Sequence, residues 1–421
     1  MSLKIKLWLG SVLLITLVAR LCVADTLQHV IIVSRHGVRA PTWTSERLRR
    51  YSAEPWPDFG VPPGYLTPHG SALMKLLGSY YRELYEQQGL LTTSGCENAD
   101  RIYFRADTDQ RTIESARALS EALLPGCKLE IHSEKPGVSD SLFDPIEAGT
   151  AKPDPNLTTA ALNGRVGPQL SAVVESHRLE FQLLQRVLNG AGKPAQSLFD
   201  EPLALKTEQN AVTLTGPLSI ASTLTQNLLL EYANGMSGTQ FGWGRLTASD
   251  LQQLLILHTA YAELMRRTPY LAQARGSNLL DHVVRTLEQA ASHKRVSGSI
   301  GPLNSSITVI SGHDTNISNL SGLLALSWAL PSHQPDDVPP GGALIFSLWK
   351  SPTGEKLVRL QFVAQSLEQM HDARPLSLAN PPLVAKLFVP GCSRAQEGYP
   401  CSWTDFRTTA QKAILLQFVN R

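Results

Sequence analysis

Two short apolar runs lie far apart in the chain, and each ends in a histidine among polar residues. Residues 27–34 read LQHVIIVS and lead into Arg35-His36-Gly37, while residues 307–311 read ITVIS and lead into Gly312-His313-Asp314. A nearly unbroken apolar, β-branched run marks a strand buried on both faces, and such strands belong to parallel or mixed sheets covered by helices. In open α/β sheets the functional crevice lies at the carboxyl ends of strands. Both loops are therefore expected to face one cleft, although 277 positions separate His36 from His313.

The rest of the chain is read around these two anchors. Gly37 and Pro41 break the first run; residues 66–85 have helical periodicity after the turn residues Thr67-Pro68, and 101–106 form a second strand leading into a helix over about 108–124. Strand, loop and helix in alternation indicate an α/β sheet. From Leu170 the pattern changes: Leu170, Val173, Val174, Phe181, Leu184 and Leu188 recur at helical spacing, and similar stripes follow in 220–232 and 251–265 without strand signals between them. Two further strands are expected at 343–349 and 356–364, after the turn at Gly341-Gly342. The expected fold is α/β, a central mixed, mostly parallel sheet flanked by helices. Residues 25–150 and 291–421 form it, and a smaller all-helical cap domain is inserted at 151–290.

Residues 1–24 read as a signal peptide: Lys4 and Lys6 precede an apolar stretch over 7–19, and Cys22-Val23-Ala24 supplies small residues for cleavage. The apolar run is shorter than the roughly 20 residues that cross a bilayer. A periplasmic or secreted protein beginning at Asp25 is expected, without stable membrane association. Losing three basic residues from 38 leaves 35 against 36 acidic ones, a net charge of −1 with histidine neutral. Such a balance carries no footprint for nucleic acid or an anionic membrane. Four cysteines remain after Cys22 leaves, and four allow three pairings. The most local pairing, Cys96 with Cys127 and Cys392 with Cys401, is the expected one in an exported chain, and no two cysteines have metal-site C-x-x-C spacing.

The chemistry concentrates at the strand ends. Arg35 and Arg39 flank His36 within RHGVRAPT at 35–42, and a third arginine, Arg111, follows the second strand within DTDQRT at 107–112. The planar guanidinium fork matches phosphate oxygens bidentately. Gly37 is expected to let the backbone approach a ligand. One arginine alone is usually a surface charge, and a lone histidine usually a satisfied core residue. Three arginines and two histidines at strand ends together indicate an oxyanion site.

With these segments the chain resembles the histidine acid phosphatases of the phosphoglycerate mutase-like superfamily, in particular the bacterial periplasmic acid phosphatase and phytase branch. The resemblance covers about 27–405 and is carried by RHGVRAPT, GYLTPHG at 64–70, RADTDQRT at 105–112, FGWGR at 241–245, GHDTN at 312–316 and PPGG at 339–342. It implies His36 as nucleophile and Asp314 as proton donor, with Arg35, Arg39, Thr42, Arg111 and His313 binding the phosphoryl group. It implies phosphate monoesters as substrates, phytate among them. No cofactor and no metal are expected, because Arg35, Arg39 and Arg111 supply the positive charge and no metal-ligand spacing is recognisable, and a monomer is expected. Two positions depart from the phytase pattern: Trp43 stands where a basic residue is usual, and Gln226 where a glutamate is usual. A glucose-1-phosphatase-like specificity is therefore the alternative within the enzyme class. A catalytically silent phospho-ligand binder is the alternative outside it, and that role would need neither His36 nor Asp314.

Overall fold

The computed structural model describes residues 24–420 except 93–94, 168 and 209–210. The expected leader lies outside the described residues apart from Ala24. In chain order the strands are β1 (Thr26–Arg35), β2 (Ile102–Ala106), β3 (Ile131–His132), β4 (Ala204–Glu208), β5 (Ala211–Thr215), β6 (Ile307–Gly312), β7 (Ala343–Lys350), β8 (Lys356–Ala364), β9 (Leu383–Leu387) and β10 (Cys401–Ser402). Eight of them form one mixed sheet in the order β10-β8-β7-β1-β6-β2-β3, with β9 on the outer edge of β8 beside β10. Parallel pairing is confined to β1, β6, β2 and β3, whereas β7 to β10 form an antiparallel wing. The connection from β7 to β8 spans only residues 351–355, and a connection that short permits only antiparallel neighbours.

The apolar character of β1 follows from its place in the middle of this sheet. Val30 and Ile32 pack with Leu77, Tyr81 and Leu119 of the helices Pro68–Gln87 and Gln110–Leu123 on one face. Ile31 and Val33 pack with Leu280, Val283, Ile317 and Phe406 of the helices Pro269–Ser292, Asp314–Leu323 and Trp403–Ala413 on the other. Burying each such side chain stabilises the fold by about 1.5–3 kcal/mol. The helix Pro68–Gln87 starts where the sequence marks it, with Thr67 Oγ1 accepting from the Gly70 N–H at 2.9 Å and proline in the first turn.

The inserted region packs its own apolar core. Leu184 and Leu188 of the helix Arg178–Asn189, Leu224 and Leu228 of Pro217–Ala233, and Leu254 and Leu255 of Ala248–Met265 join in it. Two features differ from the sequence reading. The insertion also carries a two-stranded antiparallel hairpin, β4 with β5, in which Val212 and Leu214 alternate inward from AVTLT. This five-residue alternation is too short to stand out between helical stripes. The helix Pro269–Ser292, which falls within the bounds expected for the insertion, lays most of its buried apolar face in the core on the sheet; periodicity reports that a face is buried, not against what. Cys96–Cys127 and Cys392–Cys401 are disulfide-bonded, and among the described residues no helix is long and apolar enough to cross a membrane.

Candidate active site

Strand register assembles the site. β1 and β6 are parallel neighbours with Arg35 opposite Gly312, and the His36 N–H donates to the Gly312 carbonyl at 2.9 Å. β2 lies on the other side of β6 with Ala106 opposite Ser311, and the Asp107 N–H donates to the Ser311 carbonyl at 3.0 Å. Three loops thus leave three adjacent strands at one level. Two of them run directly into helix N-termini, at Gln110 and Asp314, where the helix dipole favours an anion.

His36 is buried, and its Nδ1 lies 2.8 Å from the Gly37 carbonyl. A carbonyl only accepts, so Nδ1 carries the proton and Nε2 keeps a free lone pair. Burial first, then the charges of Arg111, Arg35, Arg39 and His313, hold the imidazole pKa well below its usual value near 6.5. The His313 ring stands edge-on to it at 5.6 Å, and His313 Nε2 donates to Asp107 Oδ2 at 2.6 Å. Burial pushes Asp107 up, but the hydrogen bond and charge of His313 outweigh it and leave the carboxyl below its ordinary range.

Arg35 Nη2 donates to Gln226 Oε1 at 2.9 Å, Nη1 donates to the Val338 carbonyl, and Nη1 lies 3.9 Å from Asp314 Oδ2. Gln226 therefore holds Arg35 through a neutral acceptor. Arg39 is brought down to about 9 by burial and by Arg35 and Arg111. Arg111 pairs with Asp109 at 2.5 Å. Gly37 serves packing rather than the ligand approach its sequence suggests: a Cβ there would lie 2.9 Å from Met74 Cγ and 3.0 Å from the Gly70 carbonyl. Gly70 is tighter still, since its Cβ would stand 2.1 Å from the Val38 carbonyl oxygen.

A cleft of about 210 Å³ opens between sheet and insertion. Arg35, Arg39, Thr42, Trp43 and Asp314 line its sheet side. Its cap side is built from Ser222, Gln226 and Asn227 of the helix Pro217–Ala233 and from His258, Tyr261 and Arg266 of the next helix and its cap. His36, Arg111 and His313 do not line this cavity; they adjoin it through Arg35 and Arg39, whose charges act on His36. Arg266 Nη1 donates to Asp314 Oδ2 at 2.7 Å, and His258 Nε2 stands 3.5 Å from the same oxygen while its Nδ1 meets Ser222 Oγ at 3.0 Å. Burial raises the Asp314 pKa, but Arg266, Arg35 and the His258 hydrogen bond outweigh it and hold the carboxyl well below its ordinary value.

The sequence reading missed Arg266 and His258. An arginine at a helix C-terminus is an ordinary favourable placement, and a histidine within a leucine-rich helix resembles a core residue. Trp43 carries the Arg47 guanidinium 3.8 Å over its ring. As for metal, Asp107, Asp144 and His313 are the group among the described residues whose ligand atoms lie within 4.8 Å of one another. Within it, the His313 nitrogen is already engaged by Asp107.

The family model of the histidine phosphatase superfamily (branch 2) matches residues 26–363, and both histidine loops fall inside the match. The chain belongs to that superfamily. Among curated proteins it is 37% identical to the phytase AppA of Escherichia coli over 404 residues, covering 92% of each chain. It is 29% identical to the glucose-1-phosphatase of Providencia rettgeri over 402 residues, again 92% of each. The Hafnia alvei phytase solved in complex with tartrate superposes with a TM-score of 0.87 at 35% identity, over 94% of this chain and 99% of that one. As a histidine phosphatase the chain is a phosphoric monoester hydrolase, and the arginines lining its half-open cleft supply the electrostatic environment a phosphate ester requires.

Proposed function

We propose that this hydrolase cleaves phosphate monoesters through a phosphohistidine on His36, with Asp314 delivering a proton to the departing oxygen. The observation that carries the reading is the His36 tautomer: Nδ1 is committed to the Gly37 carbonyl, and burial, reinforced by the surrounding cations, keeps Nε2 unprotonated in acid, where the Asp314 proton is most available. Arg35, Arg39, Arg111 and His313 offset the charge on the equatorial oxygens, and Thr42 stands at the rim. In the first half-reaction the Nε2–P bond forms as the P–O bond to the leaving group breaks. Water then attacks phosphorus, passes a proton to Asp314 and releases inorganic phosphate and free imidazole.

Inositol polyphosphates such as phytate are the proposed substrates, in line with the relatives named phytases. Gln226 and Trp43 favour testing the sugar-phosphate reading beside it, because the cleft lacks the usual cation at 43. The protein is proposed to act as an exported monomer after loss of residues 1–24. Acid quench during turnover of p-nitrophenyl phosphate at acid pH should trap phosphate on His36. Absence of a phosphoenzyme under burst conditions would overturn the mechanism. Relative kcat/KM for phytate and glucose 1-phosphate decides the substrate class, and EDTA should leave turnover unchanged.

A further inference from the structure

We propose that Arg266 is a positioning residue that reads a second anionic group on the leaving side of the substrate and transmits its presence to Asp314. The proposal rests on the hydrolase reading above. Arg266 caps the helix Ala248–Met265 through its backbone N–H, its side chain is only 15% exposed, and the hydrogen bonding of its guanidinium among the described residues is to Asp314 alone. It also borders a second recess, of about 160 Å³, shared with Tyr261 and walled by Thr315 and Arg275. The guanidinium thus stands between the oxygen of the proton donor and an adjoining basic pocket large enough for one phosphate or carboxylate group.

Several charged groups face Asp314, and they differ in how firmly each is held. Arg35, from the end of β1, is fixed by the Val338 carbonyl and by Gln226. His258 is anchored on Ser222, and burial first of all keeps it below its usual pKa, hence neutral. Arg39 lies farther off and bonds the Ala40 carbonyl, while Asp337, preceding β7, acts on Arg35, Arg266 and His258. Among the described residues the Arg266 guanidinium hydrogen-bonds Asp314 and has no second hydrogen-bonding anchor, its other contact being the Tyr261 ring at 6.0 Å. Paired with it, Asp314 is an anion, which is the wrong form for a proton donor. A leaving group that carries its own anion competes for Arg266, and Asp314 then takes a proton from solvent before transfer. That proton moves to the departing oxygen as the P–O bond breaks and the Nε2–P bond forms. An ester with a neutral leaving group leaves the Arg266–Asp314 pair intact and reacts more slowly.

The test compares kcat, KM and pH profiles for a myo-inositol monophosphate and a vicinal inositol bisphosphate in the wild type, Arg266→Gln and Arg266→Lys, with circular dichroism to confirm folding. The wild type should prefer the bisphosphate by roughly 10–100-fold in kcat/KM, the ratio that one charge-assisted hydrogen bond supplies. Arg266→Gln should abolish most of that preference, and Arg266→Lys should restore part of it. Removing the cation lets Asp314 keep its proton to higher pH. The basic limb of the monophosphate profile in Arg266→Gln should therefore move up by about one unit. A preference retained in Arg266→Gln would overturn the proposal, as would an equal loss on both substrates with the limb unmoved. A wild type that cleaves both esters equally well overturns this proposal alone. A wild type that cleaves neither overturns the hydrolase reading with it.

Discussion

The two walls of the cleft are made in different ways. The sheet wall comes from two short contiguous segments, 35–43 and 312–314, placed side by side by the register of β1 and β6, with 107–111 adjoining them from the end of β2. The cap wall comes from single positions scattered over two helices and a helix end, with Ser222, Gln226, His258 and Arg266 facing inward one turn or more apart. Parallel strands bring backbone segments together as units, so the groups that handle phosphorus arrive already grouped. Helices present one side chain per turn. That arrangement suits groups that touch whichever leaving group is bound. The sheet wall should therefore matter for every substrate, and the cap wall for some more than others.

The largest effect expected is from His36→Ala, which removes the atom that bonds phosphorus. Turnover of all esters should fall by about 10⁴-fold or more, with no phosphoenzyme trapped. A variant with wild-type turnover on any ester would break the contrast at its root. Asp314→Asn comes next. An alkyl phosphate leaves as a basic alkoxide and should lose about 10²–10⁴-fold, while p-nitrophenyl phosphate, whose leaving group departs unaided, should lose much less. In the wild type the alkyl rate should decline as pH rises, because Asp314, held low by Arg266 and Arg35, surrenders its proton early. His36, also held low, stays a competent nucleophile in acid. The Asn variant should lose that declining limb. Equal losses on both substrates would remove Asp314 from the role of acid.

Gln226→Ala probes the cap wall. It leaves Arg35 Nη2 without its side-chain acceptor, and a buried donor left unsatisfied costs about 1–3 kcal/mol, so kcat/KM should fall about tenfold or somewhat more. The size of the loss should depend on the leaving group; uniform losses matching those of a sheet-wall arginine would erase the distinction between walls. The smallest effect is on stability. Glu231, five positions after Gln226 on the same helix, accepts the Gly242 N–H at 2.9 Å, and burial pushes its pKa up to about 8. In the unfolded chain it ionises near 4.5. The unfolded state therefore binds fewer protons in between, and this contribution to stability, present below 4.5, is lost as pH rises toward 8. Glu231→Gln should flatten the decline of Tm over that window, and an unchanged slope would show that Glu231 does not titrate there.

Most of the sheet wall was legible in the sequence. Residues 27–34 and 307–311 had to be buried strands because no other use of such runs suits a chain of this composition. The motifs at their ends carried His36, Arg35, Arg39, His313 and Asp314 with them. The antiparallel wing was only half legible: β7 and β8 read as strands, whereas β9 is a partly exposed edge strand and β10 has two residues. Helical stripes located the insertion but not its hairpin, and the helix Pro269–Ser292, inside the bounds expected for the insertion, packs most of its buried apolar residues in the core on the sheet.

The sequence alone determined which residues share a loop, because residues a few positions apart cannot be far apart in space. From those loops came the oxyanion site, and from the resemblance that their motifs carry came the roles expected of His36 and Asp314. Which residues face each other across the cleft depended on how two helices are rotated and seated over the strand ends, and local sequence does not encode that. Only the tertiary structure could set Arg266 and His258 against Asp314, turn Gln226 into the acceptor for Arg35, and show that Gly37 is small because Met74 and the Gly70 carbonyl press against it.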